Sequence, residues 1–547
     1  MITYYMTTLA HWAWVPVMVM VIYKIYQQYL EHRSVVPNFP IVDEADFSDW
    51  GEAMVYGSNK YKDQPFQILG PNDSTVILPI SYFPETEQIG GATISLTEEV
   101  RRRFLGRWTH LGMNTAVIET VRKELTRNVD KILSAGIIAD ETAHSMDTEI
   151  GRFCTGDGWT PIPVFAKMLS AVSMISGRIF VGLPLCRDKE WIDISVGYTL
   201  NAVATTTEAS RWKPFLRPLV APFLPSVRRC REQRRKMAQW MRPLLAEVRA
   251  RQQDEKQGAH EPGAANGERG KHADLEARGT FVSWLMNHIP ESSQTEDELS
   301  IGQILISFAS IHTTSTTTSM ALYDLACRPQ LAEELREEIE DVARRDDLKK
   351  NRNGIAVWPK QSMAKLWKLD SFVKESQRMN PLAFATPVHR VMAPVTFSTG
   401  LHLPKHARLC FPSWAIHTSP STPAFSPLYN SGTGNLPPDQ FDPLRFYRLR
   451  LIEGRERKHQ VVTTSCESLN FGHGHHACPG RFFATYEIKY ILMAIITGYD
   501  IRFPGDDDND DEKNGKGREE LRPENIKVGM AQQPNPRGLI EFRKRQV

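Results

Sequence analysis

Cysteine is scarce and unpaired in this 547-residue chain. There are seven (154, 186, 230, 327, 410, 466 and 478), an odd number with no repeated spacing. That excludes a disulfide framework and fits reduced thiols in a cytosol-facing domain. A surplus of one charge is also missing: the formal net charge is +2. Nothing global therefore attracts nucleic acid or an acidic polymer. Strand-like stretches are short and few, namely FQILG, STVILPI, APVTFS and RGLIEF, which argues against a βαβ array. No G-x-G-x-x-G follows a strand and no flavin-like domain is present, so a redox reaction here needs electrons from outside. No internal repeat stands out.

Apolar residues, in contrast, are plentiful. A hydrophobic fraction of 41% supports a large core and excludes wholesale disorder. From about residue 95 their spacing is three and four, as in VIETVRKELTRNVDKIL (117–133), QLAEELREEIEDVARR (330–345) and EIKYILMAIITGY (487–499). This is the period of amphipathic helices. The expected fold is mainly α with small β-sheets, a single large domain over 45–547. Two polar stretches, 251–279 and 505–520, have little to bury and read as surface insertions, the second acidic and self-repelling.

The N-terminus differs from the rest. Residues 2–23 contain no Asp, Glu, Lys or Arg, and Lys24, His32 and Arg33 follow. About 20 apolar residues cross a bilayer as a helix, and flanking cations face the cytoplasm. No basic n-region or A-x-A-like cleavage site marks a removable signal peptide. The expectation is a transmembrane signal anchor over 2–23, then a linker over 24–44 stiffened by Pro37 and Pro40.

Residues 471–480 read FGHGHHACPG. Three histidines (His473, His475, His476) and Cys478 suggest a zinc site, but a tetrahedral cage needs a second ligand pair. No C-x-x-C or H-x-x-x-H follows at a suitable distance; Pro479, Gly480, Arg481 and an amphipathic run come instead. This places Cys478 just before a helix N-terminus, with proline in the first turn, where N–H groups and the helix dipole stabilise a thiolate. Gly472, Gly474 and Gly480 let the loop approach a flat partner. A single axial cysteine ligand fits better than a metal cage; a non-catalytic zinc or interaction protein is the remote alternative.

FGHGHHACPGR resembles the haem-binding loop of the cytochrome P450 family, F-x-x-G-x-x-x-C-x-G, with Phe471, Gly474, Cys478 and Gly480 at its fixed positions. The resemblance implies haem b with the Cys478 thiolate as axial ligand. It puts Phe471 beside the sulfur and His476 at a haem propionate. Other elements follow in the family's order. Glu375 and Arg378 match E-x-x-R on a helix, and Pro443-Leu444-Arg445-Phe446 resembles P-x-R-F. Glu375, Arg378 and Arg445 would then form a buried ionic network behind the haem loop, structural rather than catalytic.

Within ILISFASIHTTSTTTSMALYDLACRP (304–329), Ala309-Ser310-Ile311-His312-Thr313-Thr314 aligns with the distal pattern A-G-x-D/E-T-T. Hydroxyls that bond i−4 carbonyls can open a helix locally. By resemblance Thr313 would be the hydroxyl that assists proton delivery at the haem. His312 stands where the family usually has a carboxylate, and imidazole can relay protons near neutral pH. Arg122 falls where a cation meets a haem propionate, although Ile118 occupies the associated tryptophan position. By family position Phe308, Ala309, Phe384 and Ala385 would face substrate, with Phe104 to Trp108 beside them.

Whole-chain similarity reaches from the anchor to about residue 543. It points to fungal secondary-metabolism members such as ent-kaurene oxidase-like, gibberellin and indole-diterpene oxidases. The resemblance implies a monooxygenase acting on unactivated C–H bonds of a hydrophobic, terpenoid substrate (a diterpenoid or an indole-diterpene or meroterpenoid), with a reduced polyketide as alternative. Electrons would come from an NADPH-dependent P450 reductase, with cytochrome b5 as a further donor. The catalytic domain would face the cytosol from the endoplasmic reticulum membrane. A haem-thiolate isomerase or dehydratase that uses no O2 is the competing enzyme class. Arg445, Arg448, Arg450, Arg455, Arg457 and Lys458 offer a basic docking face for the reductase.

Overall fold

A computed structural model describes residues 16, 18–20, 22–23, 36 and 38–546, except 71–73, 113, 213–215, 257–279, 352, 423–435 and 507–514. Most of the expected anchor and linker thus lies outside the described residues. No helix among the described residues is long and apolar enough to cross a membrane.

The chain forms two compact units. The smaller comprises residues 1–110, 201–229 and 387–412. Its centre is a six-stranded sheet in the spatial order Ile41–Asp43, Phe66–Leu69, Ser74–Ile77, Arg408–Cys410, His389–Val391, Ile94–Ser95. The Phe66–Leu69 and Ser74–Ile77 strands pair antiparallel, Phe66 opposite Ile77, and Val76 runs parallel beside Leu409. Ile68, Val76, Ile77, Leu409 and Cys410 are buried along it. Apolar side chains on neighbouring strands make this the core of the unit. Leu105 and Trp108 pack in the same unit against Ala209, Ala221, Leu224 and Val227.

The larger unit, residues 111–200, 230–386 and 413–547, is mainly helical. Six of its helices matter below: α1 (Ile137–Glu149), α2 (Val164–Phe180), α3 (Glu296–Ala326), α4 (Pro329–Arg345), α5 (Trp367–Met379) and α6 (Arg481–Gly498). α2 packs on α1 and α3, and α6 packs on α1, α3 and α4. The 3.6-residue period accounts for α4, which buries Leu331, Leu335, Ile339 and Val342 at successive turns. α3 starts where Thr295 caps the Glu298 N–H at 3.2 Å, with Glu296, Asp297 and Glu298 in its positive first turn.

The structure corrects three details. The 117–133 helix is not uniform: Val121–Leu125 form a π turn between α-helical Thr115–Thr120 and Thr126–Ser134. The polar stretches are not wholly loops. Residues 251–256 extend helix Pro225–Lys256, and Gly515–Glu520 form a short helix. Residues 251–256 are rich in residues of good helix propensity, and Gly515–Glu520 is held by Arg518 on Asp506 and Glu519 on Arg328.

Candidate active site

The FGHGHHACPG loop is built from local hydrogen bonds. The Cys478 N–H donates to the Phe471 carbonyl at 2.7 Å, the Gly472 N–H to Leu469 at 2.8 Å and the Ala477 N–H to Gly474 at 3.2 Å. Gly472 and Gly474 have φ of +63° and +66°, a region that side chains disfavour. A Cβ on Gly472 would also come within 3.0 Å of the His476 carbonyl oxygen. α6 begins at Arg481 with Gly480 as N-cap. Pro479 therefore stands just outside the first turn, not within it as expected, and the approach to the dipole is unchanged.

Cys478 is half-buried. Burial pushes its thiol up, while the N–H groups of Gly480 and Arg481 and the Arg481 guanidinium pull the other way. Such a cysteine stays protonated until a cation at the sulfur makes the thiolate the better state. The Arg481 guanidinium is held by the Cys478 carbonyl at 2.8 Å and the Val462 carbonyl at 3.1 Å, which steadies the loop from behind.

The π turn abuts this loop. The Thr126 hydroxyl donates to the Pro479 carbonyl at 3.0 Å, and Val121 lies 3.8 Å from where a Cβ on Gly480 would be. Arg122 is on that turn, exposed, 3.6 Å from Glu119. Among the histidines, His473 pairs through Nδ1 with the Thr464 hydroxyl at 3.0 Å, His475 is exposed and His476 is half-buried. No group of three or more His, Cys, Asp or Glu that could hold a metal occurs among the described residues.

α3 runs unbroken through the Thr-rich stretch. The expected opening is absent because the hydroxyls accommodate themselves to the helical carbonyls. Thr313 donates to Ala309 at 2.7 Å, Thr317 to Thr313 at 2.9 Å and Thr318 to Thr314 at 2.8 Å. Ala309 and Thr313, one turn apart, are exposed in the middle of a 31-residue helix that is otherwise largely buried. They form a window onto free space on a helix that packs against α6. His312 turns elsewhere. Its Nε2 lies 3.0 Å from the Val196 carbonyl of helix Lys189–Ser210, and burial holds its pKa below the ordinary value. A carbonyl only accepts, so the one proton of the neutral ring is engaged there, about 100° around the helix from Thr313.

Phe308 is half-buried beside Ala309. Phe384 and Ala385 are 2% and 0% exposed. Phe384 sits edge-on to Trp414 at 6.0 Å, and its backbone bonds Met530 and Trp414. Those two residues are thus placed within protein packing, not on the window.

Glu375, Arg378 and Arg445 are brought together and buried. Arg378 grips Glu375 with two bonds of 2.7 and 2.6 Å, and Arg445 reaches it at 3.2 Å. The Asp442 N–H adds a bond of 2.8 Å to the same carboxylate. The remaining guanidinium hydrogens go to carbonyls, Leu436, Pro437 and Gln440 for Arg445 and His417 and Pro438 among those of Arg378. Arg445 and Arg450 are each 2% exposed, so they leave the predicted docking face. Arg450 bonds Asp370 at 3.3 Å, a buried use of guanidinium that a run of arginines in sequence does not distinguish from a surface patch. Arg457 and Lys458 are exposed.

His417 and Thr126 were not singled out in the sequence. Each works by one contact across more than 50 positions, His417 Nε2 accepting the Leu469 N–H at 3.1 Å and Thr126 holding Pro479. Neither contact leaves a local pattern.

A half-buried cysteine with backbone donors at its sulfur, entering a helix that packs on an α3 bearing a small-residue window, fits a flat cofactor carried on one thiolate. The class this defines is a helical haem-thiolate protein. The chain matches the Cytochrome P450 family model over residues 119–529 and belongs to that family. It is 37% identical over 508 residues to cytochrome P450 monooxygenase 3 of Gibberella fujikuroi, covering 93% of this chain and 90% of that protein. It is 35% identical over 512 residues to cytochrome P450 monooxygenase ascG of Acremonium egyptiacum, covering 93% and 91%. To monooxygenase BOA7 of Botryotinia fuckeliana it is 33% identical, covering 93% and 90%. The protein is a P450 monooxygenase related to fungal monooxygenases. Its family cofactor is haem bound through a cysteine thiolate, with O2 as oxidant and electrons supplied by a reductase. This membership overturns the zinc alternative.

Proposed function

We propose that this monooxygenase oxidises unactivated C–H bonds of a hydrophobic secondary metabolite, a terpenoid of the diterpenoid or indole-diterpene type. The observation that carries this is the uncharged window Ala309–Thr313. Its small side chains leave room, and no charge on it would have to be desolvated by an apolar substrate.

When bound, haem supplies the centre that places one atom of O2 in the substrate and releases the other as water, using two electrons and two protons. The chain's residues do the rest. Cys478 is the ligand, held by the Phe471 carbonyl and the N–H groups of Gly480 and Arg481. With haem bound, Phe471 would lie beside the sulfur, and His476 and Arg122 would meet the propionates. Thr313 holds a proton at Oγ1 that it now gives to the Ala309 carbonyl; rotation about χ1 turns the same proton toward the window. His312 positions α3 by its bond to Val196. An NADPH-dependent reductase delivers electrons at a face that includes Arg457 and Lys458, and residues 2–23 anchor the chain in the endoplasmic reticulum membrane with the catalytic domain in the cytosol.

The test is turnover of a terpenoid panel with a P450 reductase, NADPH and isotopically labelled oxygen. One labelled oxygen atom in a hydroxylated terpenoid is the expected result. Oxidation of reduced polyketides with no terpenoid turned over would overturn the substrate class. Turnover without reductant would overturn the chemistry.

A further inference from the structure

Behind the cysteine loop lies a cavity of about 320 Å³, lined by Lys374, Arg378, His417, His459, Lys458 and Glu467, with hydroxyls of the 463–468 segment. Two of its walls are orphan donors. Lys374 is 3% exposed and bonds only the carbonyls of Gln460 at 2.8 Å and Thr463 at 3.3 Å. Its ammonium therefore has one N–H to spare and no carboxylate within ion-pair distance among the described residues. The Phe446 ring lies 5.1 Å away, and beyond ion-pair distance the Asp370 carboxylate favours the ammonium while the Arg450 guanidinium opposes it. His417 is 1% exposed and accepts the Leu469 N–H at Nε2. A neutral ring must then carry its proton on Nδ1, and that Nδ1–H has no partner. His459, its ring 6.3 Å from Phe446, adds a buried Nε2 without a partner.

Water can satisfy a hydroxyl or an imidazole, but it does not neutralise a buried ammonium. Arg378 adds positive charge, although Glu375 compensates it. Glu467 contributes one negative charge and exposed Lys458 offsets it at the rim. Lys374 is left with two carbonyls and a carboxylate beyond ion-pair distance, the weakest compensation of the buried cations lining this cavity. We propose that this cavity binds a small inorganic anion, a halide or phosphate, between Lys374 Nζ, His417 Nδ1 and the hydroxyl of Ser465, whose oxygen accepts the Glu467 N–H and whose hydrogen is left to give. The site is coupled to the haem loop, because the ring that faces it also holds the Leu469 N–H, two residues before Phe471.

The experiment uses the haem-loaded full chain in detergent, in Hepes sodium at constant ionic strength, titrated with chloride and separately with phosphate. The readouts are the melting midpoint and the fraction of the reduced CO complex that keeps its red-shifted Soret band on warming. Both should rise and saturate with at least one anion: chloride alone marks a halide site, phosphate alone an oxyanion site. In Lys374→Met the saturable rise should disappear. His459→Phe keeps the ring against Phe446, and there the half-saturating concentration should increase several-fold, a result that stands if Lys374→Met does not fold. A rise that never saturates, no rise with either anion, or equal saturation in wild type and His459→Phe would overturn the proposal. Neither readout involves turnover, so failure here is separate from failure of the substrate assignment.

Discussion

Replacing Glu375 by Gln keeps the side-chain volume but removes the one negative charge shared by two buried guanidiniums. Arg378 and Arg445 are each 2% exposed, and Glu375 is 0% exposed. Wild-type Glu375 accepts two bonds from Arg378, one from Arg445 and one from the Asp442 N–H. A Gln amide retains one acceptor oxygen and turns an NH2 toward an arginine donor. At least one guanidinium bond is lost outright, and two cations remain buried with no counter-charge between them. Breaking a buried ion pair from one side costs roughly 3–5 kcal/mol. Unfolding entropy of about 2.1 cal/mol/K per residue, over several hundred residues, converts that to a fall of only a few degrees in melting midpoint. The more sensitive readout is haem retention, since Arg378 also holds the carbonyl of His417, whose ring bonds Leu469 at the start of the cysteine loop. Differential scanning fluorimetry and the CO difference spectrum should show a lower midpoint together with loss of haem. The exposed pair Arg345–Asp341 is the control: Arg345→Gln should cost about 0–1 kcal/mol and leave the spectrum alone. If Glu375→Gln melted within error of wild type and kept its haem, the buried network would not be what supports the loop.

The remaining expectations are narrower. Cys478→Ser should abolish the red-shifted Soret band of the reduced CO complex; a variant that kept it would remove Cys478 as ligand. Thr313→Ala should lower the ratio of product formed to NADPH oxidised, and unchanged coupling would end its role in holding a proton. Thr126→Val deletes a hydroxyl shared between the Val121 carbonyl at 2.8 Å and the Pro479 carbonyl at 3.0 Å at a cost of about 1 kcal/mol, seen as a lower melting midpoint with a secure fold; an unchanged midpoint would show the hydroxyl to be idle. Burial pushes the Glu487 carboxyl from 4.5 up to about 8, opposed by the Ser176 hydroxyl bond. Between those pH values the folded chain holds a proton that the unfolded chain has released, so stability falls as pH rises through that window. The linked loss is on the order of a few kcal/mol. Glu487→Gln should flatten that decline in pH-dependent melting, and parallel curves would refute it.

Much of the site was readable before any coordinates because its signals are local. Gly472 and Gly474 stand where φ is positive, and Glu375 and Arg378 are three apart on one helix face. The periodicity of Leu331, Leu335, Ile339 and Val342 is a property of that helix alone. Where the reading erred, the deciding contact was distant. Arg450 looks like part of a surface patch until Asp370 arrives from 80 positions away, and Arg445, rightly expected beside Glu375, is for that reason lost to the docking face. Phe384 and Ala385 look like pocket residues in sequence, yet both are buried, Phe384 against the Trp414 ring and tied by its N–H to the Met530 carbonyl. His312 resembles a relay until the Val196 carbonyl, 116 positions back, accepts a hydrogen bond from its ring.

The sequence alone therefore determined the helical frame, the cysteine loop and the Glu375–Arg378 pair, because spacing within a helix or a turn sets which side chains share a face. Tertiary structure decided which cations are buried, that Phe384 and Ala385 are packed away, and that Lys374 and His417 line one cavity. Burial and pairing across the chain depend on which distant segments pack together, and no single segment encodes that.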